Sequence, residues 1–256
     1  MVNVQYSILC HYPSIVSVDC ITLGVLIYNK DDQTIVFERI KNWQRVKSFN
    51  DELDINLTKL QLDGIEEEVG EFCKKASFDL SEYTKYYIGE IKFTDVANVV
   101  VEDFDKFVTE CRKQYLICDL DKKDRPSKSE QLEFIRNTFK NSAINYKSGK
   151  IIGYFDENVN FDFIINGYAI KIFSFDGKKE KRLIKCVKDW AYDAYKLKDK
   201  YKIVFVTDIN PEYRKDYRTV CRILQEECYK IISLQDLMPF VTKLNSKTNS
   251  AKLHQN

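Results

Sequence analysis

The sequence predicts a two-part α+β chain: an antiparallel meander with helices first, then a mixed-sheet α/β/α arrangement. Three observations carry this. Val2 to Cys10 alternates apolar and polar side chains, and two more strand-like stretches follow to Ile40 between polar turns, as successive strands of one sheet do. The later half holds the hairpin signal Asn166-Gly167, followed by helix-period and strand-period stretches in turn. The charge balance also reverses: residues 1–124 carry 15 Lys and Arg against 23 Asp and Glu, and residues 125–256 carry 25 against 16. An acidic half joined to a basic half points to two domains with different partners, or to halves that attract each other.

In the first half, Val2 to Cys10 reads as a strand, and Tyr12-Pro13-Ser14 as a turn, since Pro13 has no N–H for a ladder. Val18 to Asn29 is a second strand, Asn29 to Asp32 a polar turn, and Thr34 to Ile40 a third strand. Gly24 inside the second strand marks a close backbone approach or a bulge. Trp43 to Leu53 leads into a helix. Gly64 to Ala76 is helical, with Ile65, Val69, Phe72 and Cys73 on one stripe. Glu66-Glu67-Glu68 on its other face reads as a solvated surface near a helix start. Tyr86 to Phe93 and Ala97 to Val101 read as strands, and Asp103 to Tyr115 as a helix.

Asp119 to Ser129 is polar throughout and broken by Pro126, so it marks the boundary. The expected division is an acidic domain 1–118, a linker 119–129, a basic domain 130–244 and a frayed tail 245–256. Ser127 and Glu130 form a capping-box pattern that opens a helix to Asn141. Asn145 to Phe155 gives one or two strands around Gly149 and Gly153. Phe161 to Phe175 is the hairpin. A basic helix spans Lys179 to Lys196, with Leu183, Val187, Trp190 and Ala194 inward. Tyr201 to Thr207 is a core strand. Asp208 to Pro211 turns into a helix packed through Tyr213, Tyr217, Val220, Cys221 and Leu224. Tyr229 to Ser233 is a last strand and Gln235 to Leu244 a closing helix.

Asp162 and Lys171 are the only charges in the hairpin, and both stand among apolar neighbours. A charge in such surroundings is costly unless paired or given a task. One reading makes Asp162 a metal ligand and Lys171 a polariser of water or phosphate. The other pairs them across the hairpin as a structural ion pair, or turns both to solvent.

Asp162, a turn, and then Ala169-Ile170-Lys171, followed by a basic helix and an apolar strand, resemble the core of the PD-(D/E)XK nuclease superfamily from Ser127 to Leu237. The resemblance implies a nuclease-like fold, an Asp162 that holds Mg²⁺, and a Lys171 that stabilises the attacking hydroxide or the phosphorane charge. It departs at Ala169, where the superfamily has an acid. Alanine offers no oxygen ligand for Mg²⁺. Either Glu130, Glu133, Asp156 or Glu157 has taken over that role, or the site is inactive. A second resemblance covers residues 4–118. Tyr12-Pro13 and Thr22-Leu23-Gly24-Val25, with Asp19 shortly before the Gly-Val strand, are similar to a family of uncharacterised bacterial domains that carries no agreed activity.

Outward Lys181, Arg182, Lys185 and Lys188, with Arg214, Lys215, Arg218 and Arg222 on the next helix, form a surface that could track a nucleic-acid backbone; a plain solvated face is the alternative. The eight cysteines include no C-x-x-C pair, and His11 and His254 are the only histidines, so a zinc site is poorly supplied and reduced thiols are expected. No apolar run approaches a membrane span, and the start lacks a signal-peptide core, which points to a cytoplasmic protein.

The leading expectation is a nucleic-acid-binding protein with an inactive nuclease-like domain, of the kind found in bacterial defence systems and their phage or plasmid opponents. One alternative is a regulator whose acidic first domain docks a basic protein partner. Another is an active Mg²⁺-dependent nuclease with a relocated acid. A small-molecule enzyme built on His11, Cys20, Asp19 and Tyr12 is the remaining possibility.

Overall fold

The computed structural model describes residues 1–256 apart from 14–19, 73–77, 122, 174, 176–179, 208–217 and 254–256. The side chains of Ser148, Glu180, Arg182, Arg218, Cys221 and residues 246–253 also lie outside the description. The fold is mixed α+β, with an antiparallel sheet in the N-terminal part and a mixed sheet in the C-terminal part. The chain divides into two units, Met1–Ala143 and Ile144–Asn256.

In the first unit, β1 (Val2–His11) is the central strand, paired antiparallel with β2 (Ile21–Asn29) on one edge. Beyond β2 lies β3 (Ile35–Arg39). The other edge of β1 is shared by β4 (Ile91–Phe93) at its end and β5 (Ala97–Val101) at its start. Thr94 bridges the break between them. Its carbonyl accepts the Ser7 hydroxyl at 2.6 Å, and its Oγ1 accepts the Ile8 N–H at 3.1 Å. Gly24 is required where expected, since a Cβ there would stand 2.6 Å from the Phe37 ring.

Around this sheet run α1 (Gln44–Phe49), α2 (Ile55–Phe72), α3 (Leu80–Lys85), α4 (Phe104–Tyr115), a 3₁₀ turn (Ile117–Asp119) and α5 (Lys128–Asn141). Helix α2 begins at Ile55, not at Gly64. The Asp54 carboxylate accepts the N–H groups of Asn56 and Leu57 at 2.9 and 3.1 Å, and Thr58, Leu62, Ile65 and Val69 make one buried stripe. Gly64 is tolerated mid-helix because it faces open space. The expected end of this helix, Cys73 to Ala76, lies outside the described residues. The expected strand Tyr86–Phe93 shortens to Ile91–Phe93. Asp79 caps α3 through the N–H groups of Ser81 and Glu82, and Gly89 turns the chain at φ 106°.

The expected linker falls inside the first unit, and α5, expected in the second domain, packs on the first. Phe134 stacks on Phe107 with centroids 6.1 Å apart. Lys113 pairs with Glu130 at 2.9 Å, and the Ser142 hydroxyl accepts the Val100 N–H at 2.9 Å. The capping box of Ser127 and Glu130 forms as read.

The second unit is a five-stranded sheet in the order β10-β9-β8-β7-β6. Strands β6 (Lys147–Ile152), β7 (Asn158–Ile165) and β8 (Tyr168–Phe173) are antiparallel; β8, β9 (Lys202–Thr207) and β10 (Lys230–Ser233) are parallel. The hairpin turn is as read: Asn166 and Gly167 take φ 48° and 80°, the left-handed pair of a type I′ turn. Helices α6 (Glu180–Leu197) and α7 (Arg218–Glu227) supply the crossovers that parallel strands need. They bury Leu183, Val187, Ala194, Val220 and Leu224 against Ala169, Phe173 and Phe205. Helix α8 runs from Leu237 to Leu253, so the stretch expected to fray from Asn245 continues the helix. None of the described helices is long and apolar enough to cross a membrane.

Candidate functional site

The hairpin brings Asp162 and Lys171 together. Regular pairing of β7 with β8 covers Phe163↔Ile170 through Ile165↔Tyr168. Just past it, the Asp162 carboxylate accepts the Ile172 N–H at 2.7 Å. The Lys171 ammonium lies 3.7 Å from the same carboxylate oxygen, with side chains 17% and 12% exposed respectively. It also donates to the Asn160 carbonyl at 2.7 Å and sits over the Trp190 ring, 4.5 Å from its centroid. Trp190 is held in turn edge-on against Phe161 and Phe173. Both charges are thus engaged by backbone, ring and each other, as a sheltered structural pair should be.

The donor set does not fit Mg²⁺. Ala169 is fully buried in the apolar layer under α6, where a carboxylate would need a partner of its own. Among the described residues, no three His, Cys, Asp or Glu side chains converge. Glu130 and Glu133 belong to the first unit, where they line a cleft of about 480 Å³ between α4 and α5. Lys113 and the Ser127 N–H hold Glu130 at a pKa of about 2. Asp156 is exposed at the β6–β7 turn with φ 61°, and Glu157 beside it accepts the Phe155 N–H at 2.7 Å.

Lys181, Lys185 and Lys188 of α6 are exposed, and none makes an ion pair with another described residue. The side chains of Arg182 and Arg218 and the whole of Arg214 lie outside the described residues. Advancing about 100° per residue, Lys181, Lys185, Lys188, Tyr192, Tyr195 and Lys196 share one arc of the helix with no acid among them. Asp189 and Asp193 follow on the adjoining face. Burial raises the Asp193 pKa, and the charges of Glu157 and Asp189 add to that.

Sequence reasoning missed the aromatic end of this stripe. Tyr154 and Phe155 are 63% and 70% exposed, and Tyr192 and Tyr195 are 42% and 48% exposed. Phe155 lies parallel to Tyr192 with centroids 6.2 Å apart, and Lys196 sits over Tyr154 at 4.1 Å. The signal was available: the periodicity that turns Val187, Ala191 and Ala194 inward turns Tyr192, Tyr195 and Lys196 outward.

In the first unit, His11 is fully buried, and its Nε2 pairs with the Asn50 side-chain amide at 3.0 Å. Burial lowers its pKa against the opposing pull of the Glu90 carboxylate. Lys92 lies over the Tyr12 ring at 4.2 Å, Cys20 is partly buried, and Asp19 falls outside the described residues.

Residues 6–116 match the family model described as "Protein of unknown function (DUF3037)". The match spans β1 to α4 and agrees with the resemblance of the opening half to an uncharacterised family. No curated protein and no solved structure matches the chain.

Proposed function

We propose that the protein binds nucleic acid through its second unit, on a nuclease-like frame that has lost hydrolysis. The α6 stripe carries this reading. Three exposed lysines, clear of ion pairs among the described residues, repeat along one helix face with no acid in the arc. Such a row gives up little when it meets phosphates and gains by releasing their counterions. The loss of hydrolysis rests on Asp162 and Lys171, which are tied to the Ile172 N–H, the Asn160 carbonyl and the Trp190 face. With alanine at position 169 and no cluster of three His, Cys, Asp or Glu among the described residues, we derive no step through a metal.

The test is binding and cleavage with purified protein, on labelled DNA and RNA, with Mg²⁺ or Mn²⁺ present. Binding without cleavage is the expected result, and Lys181→Glu/Lys185→Glu/Lys188→Glu should weaken it at least tenfold while the circular dichroism spectrum is kept. Cleavage abolished by Asp162→Asn would show that a relocated acid has rescued the nuclease. Failure to bind any nucleic acid would move the assignment to a protein partner.

A further inference from the structure

The strongest unexplained feature is the ring cluster where the β6–β7 turn meets the C-terminal part of α6. A contiguous exposed apolar patch often marks an interaction site. Here Tyr154 and Phe155 meet edge-to-face at 5.1 Å, Phe155 lies within 7° of parallel to Tyr192, and all three are exposed. Lys196 reaches the rings of Tyr154, Tyr192 and Tyr195 at 4.1, 5.6 and 5.4 Å, and Lys198 lies 4.3 Å from Tyr195. The turn that lifts Tyr154 and Phe155 outward is fixed. The Glu157 carboxylate takes the Phe155 N–H, and the Gly153 N–H donates back to the Glu157 carbonyl at 2.8 Å.

We propose that Tyr154, Phe155, Tyr192 and Tyr195 form a stacking platform for unpaired bases, with Lys181, Lys185, Lys188 and Lys196 guiding the phosphates, so that the ligand is a single-stranded nucleic acid. This rests on the nucleic-acid reading above and names its substrate class. A duplex hides its base faces and can use the lysines alone, whereas a single strand offers charge and ring faces to one helix arc. Asp189 and Asp193 on the adjoining helix face, with Glu157 close to Asp193, stand beside the platform.

The experiment compares three labelled probes by fluorescence anisotropy: a thymidine 20-mer, an abasic strand of equal length, and a duplex. The proteins are wild type, Tyr154→Ala/Phe155→Ala, Tyr192→Ala, and Lys181→Glu/Lys185→Glu/Lys188→Glu, each checked for a native thermal transition. The platform requires wild type to prefer the thymidine strand over both other probes. It requires the ring variants to lose about tenfold or more on that strand alone, with abasic and duplex binding within about twofold of wild type. The lysine variant should lose affinity for all three. Equal binding of thymidine and abasic strands, or equal loss on every probe in the ring variants, overturns the platform and leaves the charge-based reading standing. Failure of wild type to bind any probe overturns both.

Discussion

Asp162 shows what one residue can do when sequence allows it two roles. Its spacing from Lys171 was legible, and so was the option of a cross-hairpin ion pair. What spacing could not show is that the Ile172 N–H and the Trp190 face would occupy the two groups. If the pair is structural, Asp162→Ala leaves a part-buried N–H and an ammonium short of a partner and should cost about 1–3 kcal/mol in urea unfolding. Asp162→Asn keeps an acceptor oxygen and should cost less. Equal stability of wild type and Asp162→Ala would contradict the structural role. The thiols give a second residue-scale expectation. Cys186 is exposed on α6, whereas Cys10, Cys111 and Cys118 are buried, and burial pushes Cys228 up to about 11. At pH 8, maleimide should therefore label Cys186 well before Cys228, as mass spectrometry of the peptides would show.

At the scale of elements, the strands were legible because period-two alternation and turn residues act locally. The apolar stripe from Ile65 gives only the second half of helix α2; the start signal is Asp54, whose capping bonds begin the helix earlier. The bulge between β6 and β7 left a trace only in Gly149. There the register passes from Lys147↔Ile164 to Gly149↔Phe161, and a Cβ would come within 2.0 Å of the Phe161 carbonyl oxygen. Gly149→Ala should thus cost more than about 2 kcal/mol, or prevent the second unit from folding. A neutral effect in thermal unfolding would mean that the bulge yields easily. Helix α5 carries a pH signature. Glu130 is held near a pKa of about 2, chiefly by Lys113 and the Ser127 N–H. Its folded value lies below the unfolded one, so its contribution is present above about pH 4.5 and fades as pH falls through about 2. Glu130→Gln should lower stability at neutral pH and converge with wild type near pH 2. A constant offset down to that pH would show that charge is not what Glu130 contributes.

For the whole molecule, the reversal of charge along the chain was visible in composition, but the division of the fold was not. The polar stretch 119–129 looked like a linker because Pro126 and its charges obey turn chemistry. Composition carries no information about which side the next helix packs on, and Phe134 against Phe107 decides it for the first unit. The exposed rings escaped for a related reason: the outward aim of Tyr154 and Phe155 depends on a turn geometry set by Glu157.

The claim that matters most is that the α6 lysines meet phosphates. A salt titration tests it most directly, with the affinity of wild type and of the triple lysine-to-glutamate variant for one labelled single strand measured at several ionic strengths. Each phosphate contact adds about 0.7 to the slope of log affinity against log salt on a single strand. The wild-type slope should be steep and should fall by about 2 in the variant, with weaker binding throughout. A wild-type slope near zero, or a slope unchanged by the three substitutions, would contradict it.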